Sequence, residues 1–148
     1  MKDESSSQLY TFWSDGQLFA VPSATVKEVK DHSELTGITP IPHASENVAG
    51  YINIRGEVHL ALDFRKMLGV KGDVPEMRDL IIFKEHVGPS FGILVDRTGS
   101  IMQTSPAMIE SWEQNAGSSD AKNSFTSAIC KQGEKLISIL APDRFLSA

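Results

Sequence analysis

The sequence predicts a mainly β chain, folded as a barrel or sandwich, on three observations. Short apolar runs recur with turn-forming residues between them, two neighbouring runs alternate with period two, and no stretch sustains the helical period over the length of an ordinary helix. With 148 residues the chain has the size of one ordinary domain. At that length roughly 68–70% of the unfolded surface can be buried, enough for a core. A hydrophobic fraction of 41% and a charged fraction of 22% are those of a globular chain.

Taken in order, Met1-Lys2-Asp3-Glu4-Ser5-Ser6-Ser7 is polar and acidic, and a flexible segment is expected over residues 1–8. Leu9 to Trp13 and Gln17 to Val21 flank Ser14-Asp15-Gly16, a hairpin signal because glycine accepts positive φ. Val26 and Val29, with Glu28 between them, fit either a strand or a turn of helix, since their spacing does not choose a period. Pro40 and Pro42 exclude a helix interior and a central strand, so Thr39 to His43 is an extended connector into a loop or turn around Ser45 to Val48.

Gly50 to Arg55 places Ile52 and Ile54 on one face and Tyr51, Asn53 and Arg55 on the other; Gly56 permits a bend, and Val58, Leu60 and Leu62 resume the alternation. Asp63 is a fitting N-cap for a short helix to Leu68, with Gly69 as its stop. After a connector from Val70 to Arg78, Asp79 to Phe83 and Phe91 to Val95 are strands joined across Gly88-Pro89, and Ile101 lies in a continuation. Ser111 to Ser124 has the composition of a mobile loop. Phe125 to Cys130 and Leu136 to Leu140 surround Gln132-Gly133-Glu134 as a second hairpin, and Pro142 starts a last short helix carrying Phe145 and Leu146. The count is about eight to ten strands.

Charge and cysteine content exclude several function classes. Fourteen Lys and Arg against nineteen Asp and Glu give a net charge of −5, which opposes attraction to phosphate backbones, so no nucleic-acid partner is expected. Cys130 is the only cysteine, so no intramolecular disulfide and no cysteine-based zinc spacing can form, and a reducing compartment fits. The N-terminus lacks the apolar stretch of a signal peptide and no eighteen apolar residues run together, so a cytoplasmic chain without direct membrane insertion is expected.

Val48-Ala49-Gly50-Tyr51-Ile52-Asn53-Ile54-Arg55-Gly56, followed by Val58-His59-Leu60-Ala61-Leu62-Asp63-Phe64-Arg65 and preceded by the Pro-rich Ile41-Pro42-His43-Ala44, resembles the CheW-like chemotaxis coupling family. That family carries a Gly-Val-Ile-Asn-Leu-Arg-Gly core and a strand ending in Asp-Leu-Arg. The resemblance extends back to Val26-Lys27-Glu28-Val29 and forward to Gly92-Ile93-Leu94-Val95-Asp96, nearly the whole chain. Leu60 stands where the family often has Pro, and Tyr51 where it has Val. The resemblance implies two SH3-like five-stranded β-barrel subdomains sharing a core, with short helices, over residues 9–148 as one domain. It also implies a non-catalytic adaptor coupling chemoreceptors to a CheA-type histidine kinase, through the kinase regulatory domain and the cytoplasmic tip of the receptors.

The partner-binding candidates are Val26, Glu28, Val29, Gly50, Asn53, Arg55, Gly56 and Val95. On the polar face of its strand, Arg55 can hold a carboxylate bidentately, and the resemblance supports Glu28 as its partner in a receptor-facing groove. The plainer alternative is a solvated surface pair worth about 0–1 kcal/mol. Val26 and Val29 suit either an apolar patch for a receptor helix or the core. Gly50 and Gly56 also have the simple use of permitting tight bends, and strand packing is the simpler role for Val95.

No catalytic residue, metal site or cofactor is expected. His59 and Asp63 share a strand face but stand about 13 Å apart along it, at roughly 3.3 Å per residue, too far for a base and its orienting acid. His32, His43 and His86 sit in polar contexts without sequence-near ligands and read as surface residues. The competing class is a small-molecule-binding or hydrolytic β-barrel, which requires a pocket with converging polar groups.

Overall fold

Alternating apolar residues, cut by turns that demand positive φ, produce eleven strands in the computed structural model, which describes residues 7–35, 37–72, 75, 77–111 and 124–147. They are β1 (Ser7–Ser14), β2 (Gln17–Pro22), β3 (Val26–Lys30), β4 (Val48–Ile54), β5 (Glu57–Asp63), β6 (Asp79–Phe83), β7 (Phe91–Val95), β8 (Arg97–Thr104), β9 (Ile109–Ser111), β10 (Thr126–Gln132) and β11 (Lys135–Leu140). The α-helix α1 (Phe64–Met67) is capped by Asp63, whose side chain accepts from the Lys66 amide, and it stops at Gly69 with φ +74°. Pro142–Ser147 closes the described chain as a 3-10 helix.

Two sheets form, ordered β8-β1-β2-β11-β10-β9 and β3-β6-β7-β5-β4. The second, five-stranded sheet is one continuous stretch of chain, which we call the inserted lobe. The first is assembled from strands before and after it, and we call it the split lobe. The two-lobed β architecture is as expected, except that the split lobe carries six strands, the extra one being the three-residue β9, which no periodicity announced. Each lobe contains one parallel pairing, β2 with β11 and β5 with β7. The loop expected over Ser111 to Ser124 falls outside the described residues for positions 112–123, Trp112 among them.

Three apolar clusters fill the molecule. Ile52, Ile54, Ala61, Leu80, Ile82 and Leu94 line the inserted lobe, and Leu9, Ala20, Cys130, Ile137 and Ile139 line the split lobe. Between the lobes lies a shared core that contains all seven phenylalanines of the chain. Phe64 is at its centre, edge-on to Phe12 and Phe19 with ring centroids 5.2 and 5.1 Å away. Strand pleating explains the division: on β6, Ile81 and Phe83 face the shared core while Leu80 and Ile82 face the lobe interior, so all five residues are buried. The same holds for β7, where Phe91, Ile93 and Val95 alternate with Leu94. These strands are therefore apolar throughout, as strands buried on both faces must be.

Candidate functional site

β3 and β4 are the two outer strands of the inserted lobe and are not hydrogen-bonded to each other in the sheet order. Side chains join them. The β4–β5 hairpin turns through Arg55 and Gly56, at φ +51° and +85°, the pair of left-handed conformations that suits a two-residue turn to the twist of its strands. Asn53 supports the turn, its Oδ1 accepting from the Gly56 amide at 2.8 Å. Arg55 is therefore a turn residue, not a residue on the polar face of the strand as its alternation suggested. Ile52 and Ile54 do point inward, and Tyr51 and Asn53 outward.

From that turn Arg55 reaches Glu28 on β3, one nitrogen, Nη2, donating to Oε1 at 2.8 Å and to Oε2 at 3.0 Å. Glu28 is thus the partner expected, but the contact uses a single guanidinium nitrogen in place of a two-nitrogen fork. The Arg55 side chain is 66% exposed and that of Glu28 24%. Lys30 lies 3.7 Å from both Glu28 and Glu34, and Lys27 lies 3.8 Å from Glu57 at the start of β5. The Arg55 hydrogen bond, more than any other contact, holds the Glu28 carboxyl below its ordinary pKa, against some desolvation and with help from Lys30.

The remaining candidates divide between support and surface. A β-bulge between Val26 and Glu28 changes the side-chain parity of β3, so Val26 and Val29, three residues apart, both pack half-buried against the shared core, opposite Phe83 and Ile81. Gly50 is buried, at φ +148°, and a Cβ there would stand 2.2 Å from the Thr39 carbonyl oxygen. That close approach lets Thr39 exchange both backbone hydrogen bonds with Tyr51, at 2.8 Å each, and so covers part of the β4 edge with the Pro-rich connector. Val95 is completely buried in the shared core and presents nothing to a partner in this conformation, which corrects its place among the surface candidates.

Two polar clusters were missed. At the seam between the lobes Arg65, directly after α1 begins, forms a true fork with Asp96: Nε donates to Oδ1 at 2.9 Å and Nη2 to Oδ2 at 3.0 Å. The Asp15 amide of the β1–β2 turn donates to the same Asp96 carboxylate at 2.8 Å. This pair is largely shielded, with 13% and 16% side-chain exposure, and the arginine is held charged chiefly by its hydrogen bond to Asp96. The sequence offered both residues within motif-like segments but nothing that linked positions 31 apart. Elsewhere, buried Asp79 accepts from the His32 amide and from both the amide and hydroxyl of Thr98, tying three strand ends together.

Asp31, His32 and Asp79 bring three possible metal-ligand atoms within 4.8 Å of one another, but Asp79 and Asp31 are already engaged by protein donors and the group is explained as a structural knot. His59 and Asp63 turn to different partners: the His59 ring lies 3.2 Å from the Glu57 carbonyl oxygen, while Asp63 meets Arg78 at 3.0 Å and caps α1. No base is oriented by that pair.

The CheW-like domain family matches residues 8–148 of the chain. This chain belongs to the CheW-like family. It is 32% identical over 136 residues to the chemotaxis protein CheW of Rhizobium meliloti, covering 92% of this chain and 84% of that protein. It is 26% identical to the probable chemotaxis protein CheW of Rhizobium etli, over 98% of this chain and 90% of that one. The crystal structure of the scaffolding protein TtCheW from Thermoanaerobacter tengcongensis superposes with a TM-score of 0.81 at 23% identity, covering 96% of this chain and 93% of that one, which establishes the shared CheW-like fold. Among the described residues no helix is long and apolar enough to cross a membrane.

Proposed function

We propose that the chain is a non-catalytic adaptor of chemotaxis-type signalling, coupling chemoreceptors to a CheA-type histidine kinase. The observation that carries this reading, beyond family membership, is the Arg55–Glu28 pair, which joins the two outer strands of the inserted lobe and leaves Arg55 mostly exposed. A charged, hydrogen-bonding rim beside half-buried Val26 and Val29 suits the docking of a receptor helix with an apolar stripe and polar flanks. In this reading Glu28, Asn53, Arg55 and Gly56 form the receptor-facing rim, Val26, Val29 and Gly50 shape it, and the kinase regulatory domain docks elsewhere on residues 9–148. The protein works in the cytoplasm and reaches receptor arrays through its partners, using no cofactor. Its mechanism is positional: holding kinase and receptor together raises their effective concentration and lets a receptor shift bias the kinase equilibrium.

Calorimetric titration against a CheA-type regulatory domain and a receptor-tip fragment tests this. The wild type should bind both, and Arg55→Ala should lose mainly the receptor. A folded chain that binds neither at micromolar concentration sinks the adaptor reading; a metabolite-induced thermal shift in its place would favour a small-molecule barrel.

A further inference from the structure

The split lobe has an open mouth where the end of β1 and the starts of β2 and β11 come together. A row of directly paired residues leads to it: Arg97 on β8 stands opposite Trp13 on β1, and Trp13 opposite Leu18 on β2. Lys135, Leu136 and Ile137 of β11 complete the lining of a cavity of about 240 Å³. Leu136, part of that lining, is 66% exposed. A volume of roughly 150 Å³ already admits a benzene-sized group, so the mouth accommodates one large aliphatic or aromatic side chain.

Two cations stand at this cavity, Lys135 in its lining and Arg97 beside Trp13. Arg55, Arg65 and Arg78 each hold a carboxylate. Arg97 instead lies over the Trp13 ring, 4.8 Å from its centroid, and neither Arg97 nor Lys135 meets a carboxylate among the described residues. In a chain with nineteen carboxylates and fourteen Lys and Arg, two cations at one apolar opening without an acidic partner are a charge pattern that a ligand can complete. A guanidinium stacked on an indole keeps its N–H edges free for bidentate acceptance by a carboxylate.

We propose that this mouth is a second docking site, which takes an acidic amphipathic segment of a partner protein: one large apolar side chain enters beside Trp13 and Leu136, and flanking carboxylates meet Arg97 and Lys135. It lies on the split lobe, is built from none of the residues of the Arg55–Glu28 rim, and does not depend on the role given to that rim.

The test uses the full chain and two synthetic helix-forming peptides, one with Leu and Phe on one face and Glu on the other, its counterpart with Lys for Glu. Isothermal titration should show the acidic peptide binding at least about tenfold more tightly than the lysine peptide, with affinity falling as salt rises. Arg97→Gln should weaken it severalfold and flatten the salt dependence, and Leu136→Glu should abolish it. Thermal unfolding of each variant confirms a folded chain, which the exposure of Leu136 favours. Equal binding of the two peptides, no binding of either, or acidic-peptide affinity unchanged in Leu136→Glu overturns the proposal. A concentration-dependent dimer dissolved by Leu136→Glu, with no peptide bound, would assign the mouth to a second copy of the chain instead.

Discussion

The seam between the lobes and the rim of the inserted lobe are each fastened by an arginine on a carboxylate, and the two fastenings differ in kind. At the seam, Arg65 offers two nitrogens to two oxygens of Asp96 in a nearly enclosed setting, above a core that holds every phenylalanine of the chain. At the rim, Arg55 offers one nitrogen from a turn residue that is mostly in solvent. Fork geometry fixes direction and resists exchange, whereas a single-nitrogen contact in water gives little stability and is easily traded for another carboxylate. The seam is where the fold is held; the rim is where charge is available.

Substitutions can break this contrast in order of size. Phe64→Ala removes the ring that Phe12, Phe19 and Phe145 all contact, and should cost about 3–5 kcal/mol in denaturant unfolding, with both lobes melting together. Separate transitions for the lobes would contradict a shared core. Arg65→Ala, which strands the Asp96 carboxylate, should cost about 1.5–3 kcal/mol, and Arg65→Lys should not restore it because an ammonium cannot form the fork. Arg55→Ala should change stability by only about 0–1 kcal/mol while sharply reducing receptor-fragment affinity. If it destabilises as much as Arg65→Ala, the rim pair is a structural staple.

The smallest effect is the pH dependence of the rim pair. Glu28 has its carboxyl pKa depressed in the folded chain, so its contribution is present above the unfolded value of about 4.3 and is lost as pH falls through the lower folded value. The stability gap between wild type and Arg55→Ala should therefore narrow as pH drops through the carboxylate range, in chemical denaturation followed from about pH 6 to about pH 3. A gap that widens on acidification would assign the pair a different electrostatic sign.

Local features were legible because local physics produces them. Asp15-Gly16 combines a turn with left-handed φ values that glycine makes accessible, Gly56 marks the bend after β4, and Asp63 caps α1 within its own segment, whereas alternation alone carried Arg55 into the strand when it belongs to the turn. Val26 and Val29 defeated the periodicity argument because the bulge in β3 makes a three-residue spacing share one face, which imitates a helix. The parallel joins of β2 with β11 and β5 with β7 left no trace in either strand, since a parallel pairing depends on distant chain. Arg65 and Asp96 were hidden for the same reason, and Val95 was misplaced because a motif position says nothing about which side of a strand is buried.

The inserted lobe, β3 to β7, emerges before β8, β9, β10 and β11 exist, while β1 of its neighbour meets β8 across contacts such as Ser7 with Thr104, 97 residues apart. The β1–β2 hairpin, with Phe12, Phe19 and Val21 on one side, can lay that side against the newly made inserted lobe and shelter it there. Its other side, with Leu9 and Ala20, stays uncovered until translation delivers β10 and β11. During that interval the nascent chain carries an unfinished apolar surface, the moment at which it is most exposed to aggregation.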